Sequence, residues 1–401
     1  MSNPNVYELL GGSPAVRETV VAAAKAAAKI EGSDPRAMTH SWLFTGPPGS
    51  GRSTTALYFA AAIMCPVEPG LGCGNCESCV GIIKHGRHTD LVFIEPQELS
   101  ISVDSVRNVV ESAARRPTVA PWRVIIFDNA DRLSNSAANA LLKTVEEPTA
   151  STVMIMCAPS DDPQDFSQTL RSRCRHLYIP TPTVDDIVAQ LVSEGFAEKD
   201  SRLAAVTSLR HIGRARKLVS TPEIQQRRAM SINLAEDIFC GSGGFAAVGR
   251  LVKNVEKMAK ESHKEADAAE VDKLRVAFGA GGRGRGTAKA KDGMETAVKE
   301  LEKKQKTRGT RRVRDQLDLV LVDLAGIYRD ALMLKVGAQV ELVHPDFAGL
   351  SGELAAKVTE DGLLACQDAI HTCRLRIEQN VSPAIAFDGL VGRLRLACGT
   401  G

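Results

Sequence analysis

The stretch "LFTGPPGSGRSTTALYFA", Leu43 to Ala60, constrains the fold more than any other part of the sequence. It places a short apolar strand before a glycine-rich loop in the frame G-x-x-x-x-G, and a helical pattern after it. Gly46, Gly49 and Gly51 would let backbone N–H groups converge on an anion at the start of that helix. The stretch therefore predicts a strand, a phosphate-binding loop and a helix in an α/β domain.

Further apolar runs of strand length follow along the chain, namely "DLVFIEP", "WRVIIFDNAD" and "STVMIMCAPS". They alternate with helical stretches such as "NSAANALLKTVEEP". Continuous apolar runs are typical of parallel strands that are buried on both faces of a sheet. We therefore expect a doubly wound α/β domain over residues 1–180.

The pattern becomes helical after residue 180. Residues 181–222 indicate small helices broken at Gly195 and Gly213, which predicts a helical lid domain. Residues 223–401 predict a helical C-terminal domain, interrupted by "FGAGGRGRGTAKAKDG" as a flexible basic insertion over about residues 279–310. The net charge of the chain is only +2, yet residues 279–314 contain twelve lysines or arginines against four acidic residues.

The phosphate loop departs from its usual chemistry at two positions. Arg52 stands where a lysine is expected, and its planar guanidinium does not replace a slim ammonium inside a tight loop. Ser53 and Thr54 follow it, and Asp128 in "VIIFDNAD" is the Walker B candidate for Mg²⁺. Asn129 stands where hydrolytic proteins of this class have a glutamate, and an amide cannot act as a base. We expect no intrinsic ATPase activity, and binding of ATP and Mg²⁺ stays open.

Four cysteines, Cys65, Cys73, Cys76 and Cys79, lie within "CPVEPGLGCGNCESC" at the spacing C-x7-C-x2-C-x2-C. This spacing predicts a closed tetrahedral zinc site with a structural role. Iron–sulfur ligation and free redox thiols are the competing interpretations. The other cysteines show no ligand spacing and are expected to be small core residues: Cys157, Cys174, Cys240, Cys366, Cys373 and Cys398.

The sequence gives no indication of export or of a membrane. "MSNPNVYELLGG" lacks the basic and apolar regions of a signal peptide, and no run of about 18 apolar residues occurs. We therefore expect a cytoplasmic protein.

Several stretches together are similar to one family. "VYELLGGSPAVRETVVAAAKAA", "HSWLFTGPPGSGRSTTALYFAAAIMC", the four cysteines, "HTDLVFIEP", "NALLKTVEEP" and "TLRSRC" occur in the order seen in bacterial clamp-loader subunits. These are AAA+ proteins of the DNA polymerase III holoenzyme. The resemblance covers about the first 220 residues and implies a RecA-like AAA+ domain, a lid and an all-helical collar domain that mediates oligomerisation.

Motor subunits of that family keep lysine in the loop and D-E in the Walker B strand, whereas this chain has neither. The resemblance therefore implies a non-motor stator subunit of the loader that places the sliding clamp on primed DNA. Its implied partners are motor ATPase subunits of the gamma/tau type and a delta subunit in a hetero-pentamer. Contact with the sliding clamp and primer-template DNA would come through the complex.

The resemblance also implies roles for single residues. Arg173 of "SRC" matches an arginine finger that reaches into the ATP site of a neighbouring motor subunit; a surface salt bridge is its competing interpretation. Arg171 and Arg175 beside it are expected to form a solvated basic edge. Ser160 is the sensor 1 candidate, and Arg216 in "HIGRARKL" matches the sensor 2 pattern.

Two rival functions remain open. The first is a self-sufficient ATP-hydrolysing motor, against which Arg52 and Asn129 speak. The second is a DNA-binding module that acts through the basic segment. Residues 279–314 contain no aromatic residue, so base stacking is not expected there.

Overall fold

A computed structural model describes residues 5–6, 13–96, 100–240, 243–278 and 287–400. The chain divides into two compact units, Met1–Arg216 and Lys217–Gly401. The predicted domain boundaries at residues 180 and 222 stay a prediction. No helix within the described ranges is long and apolar enough to cross a membrane.

The first unit is built on a five-stranded parallel sheet in the order β2-β3-β4-β1-β5. The strands are β1 Ser41–Thr45, β2 Leu91–Ile94, β3 Arg123–Phe127, β4 Thr152–Ala158 and β5 Arg175–Tyr178. The helices are α1 Pro14–Ala27, α2 Arg52–Met64, α3 Glu77–His85, α4 Val103–Ala113, α5 Asn135–Glu146, α6 Gln168–Arg171, α7 Val184–Ser193, α8 Glu198–Thr207 and α9 Ile212–Ser220.

The central strands β1, β3 and β4 are buried on both faces, because their side chains alternate between two layers of helices. Trp42 and Phe44 of β1 belong to one hydrophobic cluster with α1 and α2, whereas Leu43 belongs to a second cluster with α4 and α5. Ile125 and Ile126 of β3 divide between the two clusters in the same way. The predicted doubly wound parallel sheet is confirmed.

One predicted helix break in this unit is wrong. Gly195 has a φ of 97° and lies between α7 and α8, as expected. Gly213, however, lies inside α9, and the preceding break falls at Leu209 and Arg210, whose φ angles are 55° and 60°. The backbone therefore turns at two residues with side chains rather than at the glycine.

The second unit is helical, as predicted. Its helices are α10 Pro222–Phe239, α11 Gly244–Ala277, α12 Thr287–Lys335, α13 Ala348–Lys357, α14 Glu360–Glu378 and α15 Pro383–Ala397. Their apolar faces form one core that includes Leu251 of α11, Leu321 of α12 and Leu390 of α15.

The predicted flexible insertion over about residues 279–310 is wrong for most of its length. Residues 279–286 lie outside the described part of the chain, but α12 begins at Thr287. Val298 of α12 is buried, and Arg308 forms ion pairs with Asp267 and Glu270 of α11. Contacts with α11 therefore hold this basic segment as helix.

A buried ion pair fixes the start of β2 beside β3. Asp90 is fully buried, and its carboxylate accepts hydrogen bonds from the backbone N–H groups of Thr118, Val119 and Ala120 at 2.7 to 2.9 Å. Nη2 of Arg123 lies 3.1 Å from the same carboxylate. Burial alone would raise the pKa of Asp90, but these donors hold the pKa well below its usual range. The carboxylate therefore stays charged inside the fold.

We predict that Asp90→Asn lowers the free energy of unfolding by about 3 to 5 kcal/mol, because it leaves Arg123 buried without its counter-charge. Since the folded-state pKa is lowered, the stabilisation is present at neutral pH and is lost as the pH falls through that folded-state pKa. Urea unfolding across a pH series measures both effects.

Asp104→Asn is the matched control, because Asp104 is exposed and pairs with Arg107 at 3.0 Å. An exposed pair of this kind contributes less than about 1 kcal/mol. Equal losses of stability in the two variants would contradict a structural role for the Asp90 carboxylate.

Candidate nucleotide site, exposed arginine and metal centre

The phosphate loop leads from β1 into α2, and close packing explains two of its glycines. A Cβ at Gly46 would lie 2.1 Å from the carbonyl oxygen of Ile179, and one at Gly49 would lie 2.6 Å from Cγ of His211. No side chain fits at either position without movement of the backbone or the imidazole. No local pattern indicates that His211 is a neighbour of the loop, although it lies in "HIGRARKL" together with the sensor 2 candidate Arg216.

Arg52 is engaged by the loop that contains it. Its Nη1 donates a hydrogen bond of 2.6 Å to the carbonyl oxygen of Gly46. In a phosphate-binding loop the cation at this position normally reaches the β and γ oxygens of the nucleotide. The guanidinium in this structure instead contacts the backbone at the beginning of the loop.

The predicted Walker B residue lies beside the loop. Oγ of Ser53, at the start of α2, donates to Oδ1 of Asp128, which follows β3. The same oxygen accepts the backbone N–H of Asn129 at 3.1 Å. Asn129 itself has a left-handed φ of 52°. Thr54, the next residue after Ser53 in α2, is exposed. The structure thus brings together the two predicted Mg²⁺-binding groups, which hydrogen-bond to each other.

The two sensor candidates are hydrogen-bonded to neighbouring acidic residues. Oγ of Ser160 donates to Asp165 at 2.6 Å and accepts the backbone N–H of Asp162 at 3.1 Å. Arg216 donates to both carboxylate oxygens of Glu194, at 2.7 and 2.6 Å. Both polar groups therefore take part in local structure, and their sensor roles stay predictions.

Arg173 lies on the surface just beyond α6. Its Nε donates to Oε1 of Glu146 at 2.5 Å, and its Nη1 donates to the carbonyl oxygen of Thr169 at 2.9 Å and to Oγ of Ser172 at 3.2 Å. The Arg173 and Glu146 side chains keep 35% and 46% of their surface exposed. Two stretches singled out in the sequence, "NALLKTVEEP" and "TLRSRC", therefore meet at this ion pair. The salt bridge considered for Arg173 exists, while the finger role stays a prediction.

The two flanking arginines are solvent-exposed, as expected, but each has a partner in the fold. Arg171 donates twice to Oδ2 of Asp161, at 2.9 and 2.5 Å. Arg175 donates to the carbonyl oxygen of Ala37 at 2.5 Å, and its guanidinium carbon lies 4.9 Å from the ring centre of Trp42. Both side chains therefore have defined partners in the fold.

The four predicted cysteines form one cluster, with all Sγ atoms within 4.8 Å of one another. Sγ of Cys65 lies 3.6 Å from that of Cys73 and 3.8 Å from that of Cys76. Four thiolates about 2.3 Å from a central ion in tetrahedral geometry lie about 3.8 Å apart. The spacing of the sulfurs thus fits a tetrahedral metal ion such as Zn²⁺.

Backbone N–H groups support this cluster. The N–H groups of Cys73, Cys76 and Cys79 each donate to the sulfur of the preceding cysteine in the cluster, at 3.3 to 3.4 Å. Burial would raise the pKa of Cys73, but the N–H groups of Asn75 and Cys76 outweigh it and lower the pKa to about 7. The loop therefore favours the thiolate of Cys73, the form that binds metal, whereas burial raises the pKa values of Cys76 and Cys79.

The remaining cysteines are mostly core residues, as expected. Cys157, Cys366, Cys373 and Cys398 are buried, and Cys174 is half-buried. The expectation is wrong for Cys240, which is exposed at the end of α10. None of these six joins a metal-binding group within the described ranges.

Residues 30–183 match the family model described as DNA polymerase III, delta subunit. The DNA polymerase III subunit delta' of Pseudomonas aeruginosa is 34% identical over 146 residues, which cover 36% of this chain and 44% of that protein. The subunit delta' of Bacillus subtilis is 28% identical over 199 residues, or 50% of this chain and 59% of that protein. The subunit tau of Bacillus subtilis is 32% identical over 154 residues, which cover 38% of this chain and 27% of that protein.

The chain thus spans about half the length of the two delta' relatives that it matches. The family match begins before β1 and ends beyond β5, so it contains the phosphate loop, the four cysteines, Asp128 and Arg173. The predicted resemblance is therefore confirmed: by sequence, the α/β region of this chain is similar to clamp-loader subunits of bacterial DNA polymerase III, among them delta' subunits.

Proposed function

We propose that this chain is a non-motor clamp-loader subunit that supplies Arg173 in trans to the ATP site of a neighbouring motor subunit. Its partners in this proposal are gamma/tau-type motor subunits and a delta subunit in a hetero-pentamer. That assembly opens the sliding clamp and places it on primer-template DNA in the cytoplasm. Relatives of both the delta' and the tau type support membership of such a complex.

One observation carries the non-motor part of the proposal, namely the hydrogen bond between Arg52 and the carbonyl of Gly46. A nucleotide in this loop would need the cation to face its phosphates, whereas here the cation faces the protein backbone. Asn129 then offers no carboxylate to orient a water molecule for attack. The frame of a nucleotide site is therefore present without the groups that hydrolysis requires.

The chemistry of Arg173 supports the role in trans. Its guanidinium is permanently charged and presents N–H donors in a planar fork that suits phosphate oxygens. In phosphoryl transfer such an arginine stabilises the charge of the transition state and raises kcat by about 10³ to 10⁵. The side chain is partly exposed, and its partner Glu146 is also partly exposed, so a neighbouring subunit could reach it.

We also propose that the cysteine cluster holds one structural Zn²⁺. A closed site with four thiolate ligands leaves no position for a substrate. The ion would tie the loop between α2 and α3 to Cys65 at the end of α2, and its binding energy would stabilise this loop.

The zinc proposal predicts about one zinc per purified chain, because the sulfurs already lie at tetrahedral spacing. Cys76→Ser should release the ion and lower the melting temperature, because it removes one ligand. Metal analysis by mass spectrometry and a thermal melt measure the two effects. Cys240→Ser is the control, since Cys240 is exposed and outside the cluster. A metal-free parent chain of full stability, or iron in place of zinc, would be incompatible with the proposal.

The altered loop predicts no ATP turnover above background by the isolated chain. Arg52→Lys alone should not restore turnover, because Asn129 still provides no base. Steady-state phosphate release measures this directly. The rival motor function would gain support if the parent chain hydrolysed ATP steadily and Asp128→Asn abolished that activity.

The finger proposal predicts that a loader reconstituted with Arg173→Ala assembles normally but hydrolyses ATP more slowly in the presence of DNA. An exposed arginine contributes little to stability, so assembly should be intact. At the one ATP site that this subunit faces, kcat should fall by about 10³ or more. The total rate should fall only in part, since other motor sites remain, and clamp loading should fall further if the sites act in order.

Arg107→Ala is the matched control, because Arg107 is also exposed and ion-paired, to Asp104. Size-exclusion chromatography verifies assembly before ATPase activity and clamp loading are compared. Wild-type values of both activities for Arg173→Ala would assign the arginine to surface structure alone.

A further inference from the structure

Helix α6, Gln168–Arg171, determines where Arg173 lies. The backbone N–H of Arg173 donates to the carbonyl oxygen of Leu170 at 3.1 Å, and its Nη1 donates to the carbonyl oxygen of Thr169 at 2.9 Å. Both acceptors belong to α6. A displacement of this helix would therefore displace both the backbone and the guanidinium of Arg173.

Helix α6 is too short to hold its own position. Its single turn has few internal hydrogen bonds, so contacts with the rest of the unit must fix it. Leu170 makes one such contact, because it is fully buried in the cluster that contains Leu141 of α5. A single buried side chain fixes the depth of the helix but does not by itself fix its rotation around that side chain. A second contact is needed to set the direction of the residues at its end.

Arg171 provides this second contact. Its Nε and Nη2 donate to Oδ2 of Asp161 at 2.9 and 2.5 Å, whereas Nδ1 of His176 lies 4.0 Å from the same oxygen. The hydrogen bond from Arg171 lowers the pKa of Asp161 from its ordinary value, so the carboxylate form is favoured. The Arg171 and Asp161 side chains keep 38% and 37% of their surface exposed, so the pair contributes little to stability. Its main effect is therefore on the orientation of α6.

Asp161 itself lies on a fixed support. It follows β4, the central strand of the sheet, whose residues are all buried. In the loop after β4, Oγ of Ser160 donates to Asp165 at 2.6 Å and accepts the backbone N–H of Asp162 at 3.1 Å. The loop is thus held by hydrogen bonds on both sides of Asp161, and its carboxylate presents a defined acceptor to α6.

We propose that Asp161 is a positioning residue for the arginine finger: through Arg171 it fixes α6 and so holds Arg173 in the orientation that the neighbouring ATP site requires. This inference rests on the proposed function of Arg173. Asp161 touches no nucleotide and acts only through the finger. Since a misplacement of about 1 Å can cost about 10²-fold in rate, an orienting contact affects catalysis far more than it affects stability.

The test measures DNA-stimulated ATPase activity of the reconstituted loader over a range of ATP concentrations. The finger-dependent rate is the difference between the parent loader and the Arg173→Ala loader. Asp161→Ala should lower this rate about tenfold or more. The loss should appear in kcat, with KM for ATP nearly unchanged, because the motor subunit itself binds the nucleotide. Asp161→Asn keeps an acceptor oxygen for Arg171 and should retain more of the rate than Asp161→Ala.

A double variant shows whether Asp161 acts through Arg173. Residues that work as one unit have non-additive effects, so Asp161→Ala combined with Arg173→Ala should be no slower than Arg173→Ala alone. Arg171→Gln breaks the same ion pair from the other side and should give the same loss as Asp161→Ala. Size-exclusion chromatography verifies assembly of every loader. A failure of both Asp161→Ala and Arg171→Gln to assemble would assign the pair to folding and overturn the inference.

Asp185→Ala is the matched control, because Asp185 of α7 is an exposed carboxylate that pairs with Arg202 of α8 at 2.8 Å. It should leave the finger-dependent rate unchanged. If Arg173→Ala slows the loader while Asp161→Ala does not, the positioning role is wrong and the proposed function stands. A parent-like rate for Arg173→Ala would instead refute the proposed function itself. An equal loss in Asp185→Ala, or a double variant slower than Arg173→Ala, would also overturn the positioning role.

Discussion

The parallel alignment of β1, β3 and β4 is the constraint on which the nucleotide-type site depends. Because parallel strands end at the same edge of a sheet, the loops after these strands share that edge. Thr45 of β1 is in register with Ala158 of β4, and Phe127 of β3 is in register with Met156 of β4. A shift of one residue would move every side chain of a strand to the opposite face of the sheet and disrupt its packing against the helices on both sides. Strand register thus brings the phosphate loop to Asp128.

The phosphate loop and Asp128 lie where a nucleotide site would have them, but the loop lacks a cation that is free to bind phosphate. Ser53 reaches Asp128 as a Mg²⁺-binding pair would, yet the neighbouring cation of Arg52 is bound to the carbonyl of Gly46. A guanidinium offers its donors over a broad plane, so it finds backbone acceptors that a lysine in the same loop would leave open. The phosphate loop therefore has a structural role, as the connection between β1 and α2. On the proposed function, the reactive group of this subunit lies elsewhere, at Arg173.

Sequence reasoning predicted the features that short-range patterns encode. Continuous apolar runs indicated the strands, and cysteine spacing indicated the sulfur cluster. It failed where distant contacts decide the outcome. The predicted insertion is basic and begins with a glycine-rich run, but its described part lies in α12, where Arg308 pairs with Asp267 and Glu270 of α11. The break before α9 falls at Leu209 and Arg210, which have positive φ although neither residue type favours that conformation.

The contact between Arg173 and Glu146 joins residues 27 positions apart, so no local pattern could reveal it.

The two interpretations of Arg173, salt bridge and finger, do not exclude each other. An ion pair that is about one-third to one-half exposed contributes less than about 1 kcal/mol, so its exchange for a phosphate group costs little. Glu146 binds Nε, and the carbonyl of Thr169 binds Nη1, so the guanidinium plane is held at the surface in one orientation. A finger held in this way loses less conformational entropy when a neighbouring phosphate arrives. On the proposed function, the salt bridge therefore prepares Arg173 for its role in trans.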